Sequence, residues 1–553
     1  MHLNIKTKTT PSHITRRQFM IRGGCGLMSL TSLVNILAQL KLMQGVVNAQ
    51  GAPTDDYRAL VCVFLAGGND SNNLLIPFSG TANTHYTTNR GALAIPVSGP
   101  NPLTNLANTQ LITNPAHITA ADPLGGYLGT FAVHPLCGAI RDLFNAGELG
   151  FVANVGTLTQ PGITRATYAS SSKPPQLFSH ADQVTQWQSS VPDQPFTSGW
   201  GGRIADLINP TANTASAASM SISIAGVNSF QVSPTGAVNP YVMRSNGLVS
   251  LSGYGTNYSD ALFDSTVNFQ DSNYRSTERG QRLRAFEHIL QLSDINLMEN
   301  AYKGIVTSAR LTESVVGQAL LATAAGNGTT LDTHFNNAFA NAEAGITANN
   351  DFTNQMKMVA RLIAGRSSLG NQRQIFFVQL GGFDTHTTQI PTTGNQYAGG
   401  HTGLMNVLSR TLKAFRDSLQ ALGAWNNVVT FSASDFTRTF TANKLDASAG
   451  SDHAWGGHTF VMGGPVAGGR IYGKFPVLLL GNAAGSIDAT GSSGRWIPST
   501  SVDQYAAVLA HWLGVSTTDL PEIFPNLTRF TAAPFTDILL PNQTPNLGFL
   551  NTL

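Results

Sequence analysis

The chain has 553 residues, with 32 lysines and arginines against 30 aspartates and glutamates, a formal charge of +2, and only 11% charged residues. It carries three cysteines and no basic run or aromatic–basic stripe, which argues against nucleic acid as a partner and against a disulfide-dense scaffold. Glycine, asparagine, serine and threonine fill the polar positions instead, as expected of long loops rather than helical bundles.

In chain order, the first segment reads as an export signal. Paired arginines, Arg16 and Arg17, precede an apolar stretch from 21 to 40, and Val47-Asn48-Ala49 offers small residues two apart for a signal peptidase. Residues 1–49 are therefore expected to be a twin-arginine signal peptide, and residues 50–553 an exported α/β domain, periplasmic or extracellular. An uncleaved anchor is disfavoured by Arg22 and three glycines in the apolar stretch, so no stable transmembrane segment is expected after cleavage. Six basic and no acidic residues leave with the signal, so 26 basic residues remain against 30 acidic, a net charge near −4. Cys25 leaves too. Cys62 and Cys137 remain; one disulfide is open to them, but Cys62 sits in an apolar strand pattern and reads as a buried thiol.

Four short continuous apolar runs, at 59–66, 150–155, 375–380 and 428–432, predict strands buried on both faces. Between the first two, Leu136, Ile140, Leu143 and Phe144 share a helical face, with Gly147 near its end. Between the last two, Leu404, Leu408, Thr411, Phe415, Leu419 and Leu422 form another, closed by Gly423. This alternation predicts an α/β fold with a doubly wound, mostly parallel sheet. Residues from about 210 to 270 suggest a small β-rich excursion, and 277–365 look helical; both read as insertions between the halves of the sheet.

An acid follows three of the predicted strands: Asp70 after Gly67-Gly68-Asn69, Asp384 after Gly381-Gly382-Phe383, and Asp435 after Ala433-Ser434. In open α/β sheets ligands bind beyond the carboxyl ends of the strands. His386, and the loop Asp452-His453-Ala454-Trp455-Gly456-Gly457-His458, add imidazoles to this rim. Carboxylates and neutral imidazoles suit a divalent metal, zinc or manganese before magnesium or calcium alone. Asp452 and His453 are adjacent and point apart in extended backbone, so they would serve two ions, or one would bind and the other support. The expected ligand set is Asp70, Asp384, His386, Asp435, Asp452, His453 and His458, with one or two ions.

These motifs, with the twin-arginine leader and the closing Ser501-Val502-Asp503-Gln504-Tyr505 and Trp512-Leu513-Gly514-Val515, resemble the exported family catalogued as domain of unknown function 1501. Asp435 stands where that family usually has Glu. The family is similar in turn to the alkaline phosphatase superfamily, with its sulfatases. That resemblance implies an Asp after the first strand, matched by Asp70, a hydroxyl or thiol nucleophile at a helix start, and further Asp and His ligands late in the chain. Phe436 stands where the superfamily commonly carries a His, a loss that His453 and His458 are placed to make up.

For the nucleophile, Ser179 precedes a helical stretch at 181–188, where the positive end of the helix dipole favours an alkoxide and a bound anion. An ordinary helix cap is the plainer reading, and Ser71, beside Asp70, is the rival. His134 and His401 are outer candidates; Arg203 and Arg438 would bind an anionic group or pair with acids. No GxxxxGK[ST], GxSxG, HExxH or CxxC occurs. The sequence thus predicts a metal-dependent hydrolase of phosphate or sulfate esters acting on a small anionic ester or glycan. The alternative is an inactive relative binding a glycan or partner protein at the envelope.

Overall fold

The computed structural model describes residues 57–97, 131–292, 297–322, 338–340, 350–389, 400–530 and 548–550, apart from short gaps within them. The expected signal peptide, with Cys25, lies outside the described residues. The strands in chain order are β1 (Arg58–Leu65), β2 (Leu75–Pro77), β3 (Phe131–Val133), β4 (Leu149–Gly156), β5 (Ser221–Ser223) and β6 (Tyr241–Val242). They continue with β7 (Arg373–Leu380), β8 (Val428–Ser434), β9 (Gly457–Met462), β10 (Ile471–Gly473) and β11 (Thr500–Ser501). β2 and β3 form a separate antiparallel pair; the others make one sheet in the order β10-β4-β9-β8-β1-β7-β5-β6, with β11 also on β4. Neighbours in it pair parallel except at β9, which is antiparallel to both β4 and β8.

The unbroken apolar runs have a direct explanation. Along β1, Ala59, Val61, Val63 and Leu65 enter one core while Leu60, Cys62 and Phe64 enter the other. The first core is closed by helices Gly138–Asn145, Asp351–Ala364 and Gly400–Ala421, the second by His180–Ser189, Trp200–Ala212 and Val502–Leu513. With both faces covered, neither alternate set can be polar. Cys62 and Cys137 are buried free thiols in opposite cores.

The middle of the chain differs from the sequence expectation in two places. The stretch after 210 supplies β5 and β6, which extend the main sheet beside β7 because Ser221–Ser223 pairs with Ile375–Phe377. Helix Asp351–Ala364 packs Val359, Leu362 and Ile363 into the main core, so it belongs to the helical layer. The part standing off the sheet is smaller: Tyr258, Ala261, Leu262, Tyr274 and Leu283 form their own cluster. No described helix is long and apolar enough to cross a membrane.

Candidate metal centre

Register sets the site. Leu65 of β1 pairs with both Leu380 of β7 and Ser434 of β8, so three parallel strands end level and release their loops on one rim. The β1 loop then turns through Gly67 and Gly68 at positive φ, and a Cβ on Gly67 would stand 2.5 Å from the Asp384 nitrogen. Glycine is required there for the first and second loops to touch. Arg438, fully buried, ties them together: it donates to Gly68 O at 3.0 Å, to Ser451 O at 3.0 Å, and to Gly67 O, and pairs with the Asp384 carboxylate.

Three imidazoles converge on Asp384. Its Oδ1 lies 3.1 Å from His386 Nε2, 3.4 Å from His180 Nε2 and 3.7 Å from His453 Nε2. His386 Nε2 and His453 Nε2 are 3.0 Å apart. The other nitrogen of each ring is engaged behind the cluster. His180 Nδ1 meets Asp435 Oδ2 at 2.6 Å, His386 Nδ1 meets Asp452 Oδ1 at 2.8 Å, and His453 Nδ1 meets the Phe178 carbonyl at 2.6 Å. Carboxylates and carbonyls only accept, so each Nδ1 carries a proton, which leaves Nε2 of a neutral ring as the atom able to bind a cation. Phe178 adopts φ 76°, rare for a non-glycine residue, to aim that carbonyl. Phe436 packs its ring 4.7 Å from His180 and 4.8 Å from His453.

Burial opposes ionisation of Asp384, but the Arg438 guanidinium outweighs it and holds the carboxyl below the usual range. The hydrogen bond that His180 donates to Asp435 raises His180 and favours its charged form, while burial lowers His453. Burial likewise opposes ionisation of Asp452, and the His386 bond prevails and lowers it.

The donor set fits a divalent cation. His386 Nε2 and His453 Nε2, 3.0 Å apart, either share a proton in a hydrogen bond or face a cation together, and Arg438 Nη1 stands 3.5 Å from His386 Nε2. Moreover, His180 Nε2 is buried without a hydrogen-bond partner. Bonds of about 2.0–2.1 Å in a tetrahedral zinc site put ligand atoms roughly 3.3 Å apart, near the distances from Asp384 Oδ1 to the three rings, although His386 stands outside the group whose ligand atoms are all mutually close. Ligand atoms of His180, Asp384 and His453 all lie within 4.8 Å of one another. Each histidine is also backed by an acceptor, the usual outer partner of a metal-binding imidazole.

The seven residues expected from sequence do not all meet. Asp384, His386 and His453 face the centre; Asp435 and Asp452 stand behind His180 and His386. The adjacent pair Asp452–His453 thus divides, one residue inward and one in support. Asp70 is fully buried, pairs with Arg90 and accepts from Gln389. His458 opens β9 in the core, accepts from Asn154 N at 3.2 Å and stacks on Phe475; burial pulls it down to about 3. His401 is buried on Asn69 and likewise pulled down to about 3 by burial, and its ring meets His134 edge-on. Ser71 Oγ is buried between Thr437 Oγ1, at 2.9 Å, and His458 N, at 2.8 Å. Ser179 is half-buried at the start of helix His180–Ser189, where it makes no side-chain cap but donates to Asp182 Oδ2 at 2.6 Å. Arg203 donates to carbonyls of Ser189, Ser198 and Ile523. The residue missing from the sequence set is His180. It adjoins Ser179, and no glycine-rich turn or preceding strand distinguishes it.

The fold and rim define a doubly wound α/β protein with a His/Asp cluster, a candidate cation site, at the carboxyl ends of its strands. Residues 57–484 match the family described as protein of unknown function (DUF1501), and the chain belongs to that family. The structure is similar to that of Ps i-CgsB at 9% identity and a TM-score of 0.32, over 85% of this chain and 77% of the other. It is similar to PsFucS1 sulfatase from Pseudoalteromonas sp. at 9% and 0.27, over 80% and 69%. With alkaline phosphatase from the Antarctic bacterium TAB5 the figures are 11% and 0.23, over 75% and 94%. No curated protein matches the chain.

Proposed function

We propose that the rim cluster is the centre of a metal-dependent hydrolase acting on phosphate or sulfate esters, exported by the twin-arginine route. The observation that carries this reading is the convergence of three Nε2 atoms, each with its Nδ1 engaged from behind, on the Asp384 carboxylate. His180, His386, His453 and Asp384 would hold the ion, and their nitrogen-rich donor set favours zinc over magnesium or calcium. Such an ion, when bound, polarises an ester oxygen and stabilises the charge that develops on it. The chain's own contribution is orientation: Asp435, Asp452 and the Phe178 carbonyl fix the three tautomers, and Arg438 keeps Asp384 ionised. Ser179 is the favoured nucleophile, since its hydroxyl is half-buried beside His180 at a helix start, whereas Ser71 is enclosed by two structural hydrogen bonds.

A second reading draws on Asp70. The superfamily resemblance would make it a ligand, yet Arg90 and Gln389 engage it in the interior. That favours a relative that keeps a cation and binds an envelope glycan without cleaving it. Assay of the purified protein with aryl phosphates and aryl sulfates decides between the two. The hydrolase reading expects turnover that is lost on chelation and in His453→Ala; the absence of turnover from metal-loaded protein on both ester classes would leave the binder.

A further inference from the structure

We propose that a second pocket on the same rim, beyond β5 and β7, binds the sugar chain of an anionic glycan beside the candidate metal centre. The proposal rests on the hydrolase reading for the fate of the ester, but not for binding. The pocket holds about 550 Å³ and lies where Ile224 and Ala225 leave β5 and Gly381 leaves β7. Sites for small ligands commonly span about 300–1,000 Å³. β7 also delivers Asp384, so pocket and cluster both border the carboxyl end of that strand.

The floor of the pocket is fixed. Asp351 accepts from Ser245 Oγ and from Gln355 Nε2, each at 2.8 Å, while Gln355 Oε1 accepts from Gln379 N at 2.8 Å. Both Asp351 oxygens are thereby engaged. Above the floor, Arg244, Asn246, Asn354 and Gln379 line the cavity, and among the described residues their side chains make no hydrogen bond. Each amide offers donors and an acceptor, the pairing that a sugar hydroxyl, itself donor and acceptor, requires. The Arg244 guanidinium, exposed and without a carboxylate partner among the described residues, supplies the planar fork that matches a sulfate, phosphate or carboxylate. Ile224 and Ala225 are the only apolar side chains in the lining, so an apolar ligand would gain little there. A polyhydroxylated chain bearing a negative group is what this set of side chains recognises.

The test is calorimetric titration of metal-free protein with dextran sulfate oligosaccharides and with unsulfated dextran oligosaccharides of the same length. The sulfated chains should bind more tightly. Arg244→Ala should weaken them by roughly tenfold or more, and Asn354→Ala with Gln379→Ala should weaken both probes. The proposal is overturned if neither probe binds, or if the Arg244→Ala and double variants, folded by circular dichroism, bind as the parent does. Binding that follows the expected pattern without any ester turnover supports the pocket and removes only the hydrolase reading.

Discussion

The Nε2 atoms of His386 and His453 stand 3.0 Å apart, while Asp452 and the Phe178 carbonyl engage the opposite nitrogens. In neutral rings this arrangement turns both Nε2 atoms toward one point, where a cation could be shared. His180, turned by Asp435 in the same manner, brings a third.

Asp435→Asn is the sharpest probe of that orientation. The amide still fills the space and can accept from Gly67 N, as Asp435 Oδ1 does at 3.1 Å. Its NH2 group, however, favours the His180 tautomer with the proton on Nε2, which cannot bind a metal. Cation affinity should fall by about 10- to 100-fold with little change in the circular dichroism spectrum. An unchanged affinity would show that His180 is not a ligand.

Gly67→Ala should damage fold and site together. The residue sits at φ +108°, and a Cβ would meet the Asp384 nitrogen at 2.5 Å. Backbone strain alone costs on the order of 1–3 kcal/mol, and relief of the clash would move Asp384. Chemical denaturation should give a lower midpoint, and cation binding should weaken in the protein that remains folded.

The two serines should part cleanly. Ser71→Ala removes a buried hydroxyl bonded to Thr437 and His458 N, costing roughly 1–3 kcal/mol of stability. Ser179→Ala removes a half-buried hydroxyl whose side-chain bond is to Asp182, so stability should barely change while ester turnover collapses. Equal turnover in Ser179→Ala and parent would exclude it as the nucleophile.

Much of this was legible in the sequence. The four main strands stood out because both faces are buried, and the level ends of three of them made Asp384 and Asp435 readable as rim acids. What composition could not supply was partner choice. Asp70 looks like Asp384 in sequence, each following a Gly-Gly turn, yet Arg90, on the helix Gly80–Arg90, pairs with it in the interior. His458 looks like His453, yet it begins β9 and faces the core. His180 carried no local signal at all, since its role depends on Asp435, 255 residues away.

The closing Ser501–Tyr505 motif has a structural consequence of its own. Burial raises Asp503 from 3.8 to about 7, against smaller opposing effects from Ser190, Asn526 and Arg203. Below about pH 4 folded and unfolded states both hold the proton, so stability is unaffected. From there to about pH 7 the unfolded state ionises first and stability declines; above that the penalty is complete, on the order of 4 kcal/mol. Asp503→Asn should therefore raise the melting temperature at pH 8 and leave it nearly unchanged at pH 4. A variant equally stable relative to the parent at both values would contradict this.

The rim is proposed to bind a divalent cation through Asp384 and the histidines around it. Elemental analysis of the protein, purified without chelator, beside the His180→Ala and His453→Ala variants, tests it most directly. The expected result is about one ion per chain, zinc foremost, in the parent, with most of it lost from both variants. A parent no richer in metal than the variants would contradict the account.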